Sequence, residues 1–251
     1  MCATPLQPCR IGRRAIRCAG AMTAGDRYWE QPEQVERFAA RKPDDRLIEL
    51  LKTYHEPPSL TVLDLGCAGG RNTRVLARQG FDFYAVDRAS AMVARARERV
   101  AEIVGTEAAR WRVRVASMGD LSDFRDRMFG LVVALGVYHQ AESRQHWTRA
   151  LCETHRVLGE GGLVLTSTFS PRSQPHGIPL RPVPGEKHMY DGFGSGPLCL
   201  VTADELDQAM LARGFARESA TATVRVATEN GFRVTVNGLF RKSGDESVRN
   251  G

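Results

Sequence analysis

Several signals are missing from this 251-residue chain, and each absence removes a class of protein. No stretch of eighteen apolar residues occurs, so nothing reads as a membrane-spanning helix. The six cysteines, at 2, 9, 18, 67, 152 and 199, form no CxxC pair, which argues against a zinc site, a redox dithiol or a secreted disulfide framework; no metal is expected, and cytoplasmic residence is. Acidic residues are absent from 1–25, where Arg10, Arg13, Arg14 and Arg17 supply four of the six net positive charges. The remainder therefore carries only +2. Basic residues such as Arg95, Arg97 and Arg99 are interleaved with Glu98 and Glu102 and have no aromatic ladder, so a nucleic-acid partner is not expected.

What is present centres on VLDLGCAGGRN, residues 62–72. Val62, Leu63 and Leu65 read as a short buried strand, after which Gly66, Gly69 and Gly70 let the backbone turn and something approach closely. Helical periodicity follows, so the motif has the strand, turn and helix order that suits a nucleotide-like ligand. Its spacing is not GxGxxG, and Asp64 at the strand's end would repel a pyrophosphate. An ammonium group would instead find a counter-charge at Asp64, and the turn's N–H groups would meet a carboxylate. The second strand ends in Asp87, one β-α-β unit later, where a carboxylate can accept bonds from both ribose hydroxyls.

Together with AVDRASAM at 85–92 and RVLGEGG at 156–162, this motif resembles the class I S-adenosylmethionine-dependent methyltransferases. The resemblance runs from about Leu47 to the C-terminus and implies a Rossmann-like α/β fold: a seven-stranded, mostly parallel sheet with a terminal antiparallel hairpin and helices on both faces. It implies S-adenosyl-L-methionine as cofactor and a small molecule as methyl acceptor. Asp64, Gly66, Cys67, Ala68, Gly69 and Gly70 would shape the methionine pocket, Asp87 would hold the ribose, Met92, Ser117 and Met118 would meet adenine, and Asn72, Arg88 and Leu135 would also contact the cofactor. The family places an acid just beyond the third strand, and Ser117 is the nearest match; Asp120 either replaces it or caps the following turn. The family also has aspartate where Gly130 stands.

The chain-order reading sets 1–25 aside as a disordered or non-native extension and treats 26–251 as one methyltransferase domain, monomeric or homodimeric. N-terminal helices between 28 and 54 would cap the cleft, with Tyr28 and Trp29 either lining it or docking the arm. Helices are expected over 71–79, 90–104 and 145–158, and strands over 81–86, 111–116, 128–135 and 163–169. At the exit of the fourth strand Tyr138 and His139 are candidate acceptor contacts, and His139 is the candidate general base. The segment 170–200 holds six prolines and is long for an idle connection, so it is a candidate lid in which Lys187, His188 and Tyr190 would meet the acceptor. A capping box at Thr202 and Glu205 opens another helix, and 220–228 with 232–240 reads as a hairpin across Glu229-Asn230-Gly231. The competing readings are a non-catalytic partner subunit that binds the cofactor, an RNA or protein methyltransferase, and a nicotinamide-dependent oxidoreductase.

Overall fold

A computed structural model describes residues 24–244. The extension assigned to 1–25 lies outside them except for its last two positions, which open the first helix. Three short helices come first: α1 (Ala24–Trp29), α2 (Pro32–Ala39) and α3 (Asp45–Leu51). Pro32 sits in the first turn of α2, where its missing N–H costs nothing, and the Asp44 side chain caps α3 by accepting the Arg46 N–H at 3.1 Å. The arm is pinned by Glu30, whose two carboxylate oxygens accept the Ser90 and Ala91 N–H groups at 2.6 and 2.9 Å. Those are donors a helix start leaves unpaired, so a charge from elsewhere in the chain completes them.

The alternating core follows as β1 (Thr61–Leu65), α4 (Thr73–Arg78), β2 (Asp82–Asp87), α5 (Ser90–Val104), α6 (Thr106–Arg112), β3 (Val113–Val115), β4 (Phe129–Leu135), α7 (Arg144–Val157) and β5 (Leu158–Phe169). After it come the short strands β6 (Arg181–Pro182), β7 (Met189–Asp191) and β8 (Leu198–Cys199), then α8 (Ala203–Leu211), β9 (Phe215–Arg217), β10 (Ala222–Thr228) and β11 (Gly231–Lys242). The main sheet runs β10-β11-β5-β4-β1-β2-β3, with β9 also paired to β11. The path is the seven strands expected. β9 and β10 pair with successive stretches of β11, so they are two pieces of one interrupted edge. Only β11 runs against its neighbours; β1, β2, β3, β4 and β5 are mutually parallel.

Strand alternation sends Leu63, Leu65, Val132 and Ala134 into one buried layer with Tyr138, Trp147, Leu206 and Phe240. Val62, Leu131 and Val133 enter the other, with Leu47, Leu76, Phe83 and Val100. Two boundaries differ from the sequence reading. Residues 106–112 form a helix rather than the start of β3, leaving Trp111 65% exposed. Helix α7 also passes directly into β5, so Gly159, Gly161 and Gly162 lie at the strand's irregular start instead of ending a helix. Where the family has aspartate, a Cβ on Gly130 would stand 2.6 Å from Leu60 Cδ1, so Leu60 occupies that space.

Because β2 flanks β1 on one side and β4 on the other, the strand order reverses at β1, and the crevice beyond these carboxyl ends is where open α/β sheets bind ligands. Among the described residues no helix is long and apolar enough to cross a membrane.

Candidate active site

A cavity of about 680 Å³ opens at this switch point, within the size range of small-molecule sites. Of the residues singled out from sequence, Tyr28, Trp29, Gly66, Cys67, Ala68, Asn72, Asp87, Arg88, Met92, Ser117, Met118, Leu135 and His139 line it.

The turn after β1 is bonded inward. The Gly66 and Cys67 N–H groups both donate to the Val86 carbonyl, at 2.8 and 2.9 Å, and the Ala68 N–H donates to Asp87 Oδ2 at 2.9 Å. These donors are therefore consumed by the protein and do not face a ligand carboxylate, which corrects that part of the sequence reading. Asp87 accepts the Ala89 N–H on its other oxygen at 3.0 Å. Each oxygen keeps a lone pair, so the carboxylate can still receive two hydroxyls. Burial raises the Asp87 pKa, and the Ala89 and Ala68 N–H bonds oppose the rise.

Asp64 does not line the cavity. It lies behind the turn, 2% exposed, and accepts the Thr73 hydroxyl at 2.6 Å, so it anchors the start of α4. Burial pushes its carboxyl up to about 6, against the Thr73 bond. A carboxyl raised in this way favours the fold most below the unfolded pKa, and that advantage is lost as pH rises through about 6. At neutral pH the ionised form costs about 3 kcal/mol. Asp64→Asn is therefore expected to gain stability over wild type by about 1 to 2 kcal/mol between pH 5 and 8, read by denaturant titration at both values. A constant difference across that range would contradict the assignment.

Gly69 and Gly70 also sit outside the lining, and their role is packing. A Cβ on Gly69 would stand 2.6 Å from Ala39 Cβ and 2.9 Å from its Cα, and one on Gly70 would stand 3.0 Å from the Ala96 backbone. Their absent side chains let α2 and α5 close on the turn. Asn72 ties the arm to the same place, its Oδ1 accepting the Asp44 N–H at 3.0 Å. Cys67 is buried, and that burial, with Asp87 and Asp64 nearby, keeps its thiol protonated well above the ordinary range.

On the opposite wall, Ser117 Oγ lies 3.3 Å from His146 Nε2 and accepts the Gly119 N–H at 3.2 Å. His146, on α7, also lines the cavity, a residue that the sequence alone does not single out. Its Nδ1 accepts the Glu142 N–H at 3.4 Å, which puts the ring proton on Nε2, facing Ser117. Burial lowers the His146 pKa. Asp120 is exposed and accepts the Ser122 N–H at 3.2 Å, so it caps the turn and does not replace the missing acid.

His139 is 3% exposed and stacked on Phe169, with ring centroids 3.9 Å apart. Among the described residues its Nδ1 has no hydrogen-bond partner. Burial, reinforced by the Arg233 charge, pushes its pKa down to about 3. The ring is thus neutral at physiological pH and a weak proton acceptor, which removes the basis for expecting a general base.

Four other sequence candidates fall away from the cavity. Tyr138 is fully buried and its hydroxyl pairs with Thr154 Oγ1 at 2.7 Å, because the turn after β4 sends it into the core. Lys187 is exposed on the β6–β7 connection, His188 Nδ1 sits 3.5 Å from Glu205, and Tyr190 packs with Leu180, Leu198 and Leu200. From the 170–200 segment the cavity receives Phe193, Ser195 and Leu198 instead. It also receives Arg233, Thr235 and Asn237, alternate residues of β11 that sequence reasoning had treated only as hairpin. A period-two polar row opposite buried Val234 and Val236 was the available signal.

Residues 62–162 match a family model described as a methyltransferase domain. No curated protein matches the chain. Similar solved structures include an S-adenosylmethionine-dependent methyltransferase from Methanosarcina mazei, at 18% identity and TM-score 0.61, covering 77% of this chain and 97% of that one. Another is 1,6-didemethyltoxoflavin-N1-methyltransferase from Burkholderia thailandensis with its acceptor and S-adenosylhomocysteine bound, at 21% and 0.55, covering 88% and 83%. The cyclase SpnF is also similar, at 17% and 0.54, covering 87% and 81%. A cyclase among these neighbours means that the shared fold alone does not specify the reaction.

Proposed function

We propose that this chain, whose residues 62–162 match the methyltransferase-domain model, moves a methyl group from S-adenosylmethionine to a small-molecule acceptor. The observation that carries the reading is Asp87: it ends β2 on the wall of a switch-point cavity, and N–H groups from both flanking loops hold its two oxygens while leaving each able to accept a hydroxyl. The Burkholderia neighbour, with S-adenosylhomocysteine and a small acceptor together, supports both halves of the proposal.

The residues fit such a cofactor. Asp87 would receive the ribose hydroxyls. Ser117 accepts from Gly119 and faces the His146 Nε2 proton, so its own hydroxyl proton is free to donate to a ring nitrogen of adenine between Met92, Met118 and Leu135. With the Gly66, Cys67 and Ala68 N–H groups consumed, the guanidinium groups of Arg41 and Arg71 on the cavity wall would supply the counter-charge for the amino-acid carboxylate. S-adenosylmethionine brings a methyl carbon already activated by its sulfonium, so the protein's contribution is orientation and exclusion of water.

Isothermal calorimetry is expected to show S-adenosylhomocysteine binding at one site per chain and no heat with NAD. The reverse pattern would sink the proposal.

His139 acts here as a wall of the acceptor site. The wild-type kcat profile is expected to show no histidine limb near pH 6.5, because His139 is uncharged down to about 3. A limb at that pH that disappears in His139→Gln would restore the general-base role.

A further inference from the structure

The acceptor side of the cavity has a definite chemical character. Phe169 stacks on His139 and also on Phe193, with centroids 5.1 Å apart and 20° between the planes. Phe193 is carried between Gly192 and Gly194, whose φ values of 129° and 82° set the loop that brings the ring to the cavity. Phe169 is therefore sandwiched between His139 and Phe193, and Phe193 forms the end of a three-ring stack on the cavity wall.

Beside it stands a cation without an anion. The Arg233 guanidinium lies 5.0 Å from the Phe169 centroid, and among the described residues its buried Nε has no hydrogen-bond partner. Among the described residues no carboxylate is within ion-pair distance of it, whereas Arg46 at the same cavity is taken up by Asp44 at 2.7 Å and Arg88 by Glu142 at 2.7 Å. Among the described residues His139 Nδ1 and the acceptor oxygen of Asn237 are also buried without a hydrogen-bond partner, and both side chains line the cavity with Arg233. Arg37, Arg41 and Arg71 line the same cavity as Arg233, and of the carboxylates on its wall Asp44 is paired with Arg46 and Asp87 holds the Ala68 and Ala89 N–H groups, while Asp45 is the third.

Buried polar groups left unpaired are costly, and a half-buried charge without a counter-ion more so. An aromatic surface alone would also suit a cationic ligand. Here Arg233 already occupies that role against Phe169 and would repel a second cation.

We propose that the methyl acceptor is a planar anion of the aromatic carboxylate type, its ring against Phe193 at the end of this stack and its negative group on Arg233. The proposal rests on the methyltransferase reading above. In the transfer one carboxylate oxygen bonds to the methyl carbon as the carbon–sulfur bond breaks, S-adenosylhomocysteine leaves, and the product is a neutral methyl ester; no proton has to be removed, which suits a wall whose histidine does not accept one.

The test is binding to the full chain saturated with S-adenosylhomocysteine, using 2-naphthoate, its neutral amide 2-naphthamide and the cation 2-naphthylmethylamine, followed by calorimetry or ligand-observed NMR. Naphthoate is expected to bind at least about tenfold tighter than the amide, with the amine weakest. Arg233→Met is expected to erase the preference and Arg233→Lys to retain part of it, with S-adenosylhomocysteine affinity unchanged in both, which also reports that the variants fold. Equal binding of the three probes, no binding of any at millimolar concentration, or a preference for the amine overturns the proposal. So does a preference for naphthoate that survives Arg233→Met, or an equal loss of S-adenosylhomocysteine affinity, which would put Arg233 on the cofactor. If wild type fails to bind S-adenosylhomocysteine, the cofactor reading fails by itself, and the same titrations on the free protein decide the anion site.

Discussion

Asp87→Ala is expected to weaken S-adenosylhomocysteine binding by about 100-fold or more, measured by calorimetry on protein whose circular dichroism matches wild type. The magnitude follows from two hydrogen bonds between hydroxyls and a carboxylate, each contributing roughly 1.5 to 3 kcal/mol. A second loss adds to it, because the same oxygens receive the Ala68 and Ala89 N–H groups and so hold the turn against the end of β2. Asp87→Asn separates the two effects: one oxygen can still accept, so an intermediate loss is expected. Unchanged affinity in Asp87→Ala would remove the ribose assignment, and with it the observation on which the cofactor reading stands.

Gly66→Ala should be the most damaging single methyl in the motif. Gly66 has φ of 76°, and an added Cβ would stand 2.6 Å from Val137 Cβ and 2.7 Å from its Cγ2. The left-handed backbone costs an L-residue about 1 to 2 kcal/mol, and overpacking of this kind another 1 to 3. A total of about 2 to 5 kcal/mol corresponds to a fall in Tm of roughly 5 to 15 °C for a chain of this size. Gly80→Ala is the control, since Gly80 has φ of 78° and no atom within 4 Å of the added carbon. It carries the backbone cost alone, so its loss should be clearly smaller. Equal losses in the two variants would show that the contact with Val137 relaxes freely.

The sheet was legible because buried parallel strands are written as apolar runs ended by glycines or acids, as in VLDLG and YAVD. The β3 region was not. Trp111, Val113 and Val115 alternate as a strand would, and the structure instead keeps Trp111 at the exposed end of α6. Short apolar alternations do not separate these cases without the packing partner.

The same limit governed the site. A glycine in a motif looks alike whether it faces a ligand or a neighbouring helix, and only the approach of Ala39 and Ala96 shows that Gly69 and Gly70 serve the latter. Asp64 reads as a ligand group, but its partner is the Thr73 hydroxyl nine residues away. His139 was placed at the cavity from its position after β4, whereas its proton affinity depends on burial and on Arg233, which no local pattern reveals. Arg233, Thr235 and Asn237 reach the cavity because β11 inserts antiparallel beside β5, pairing Val236 with Thr168. That long-range register brings a C-terminal strand to the switch point.

The most direct test of the central claim is transfer itself: purified protein incubated with S-adenosylmethionine labelled in its methyl group and a fractionated small-molecule extract, followed by chromatography of the label. A labelled small molecule, formed by wild type and reduced at least about tenfold with Asp87→Ala, is the predicted result. Label confined to unreacted cofactor across all fractions, in protein shown by calorimetry to bind S-adenosylhomocysteine, would contradict methyl transfer to a small molecule.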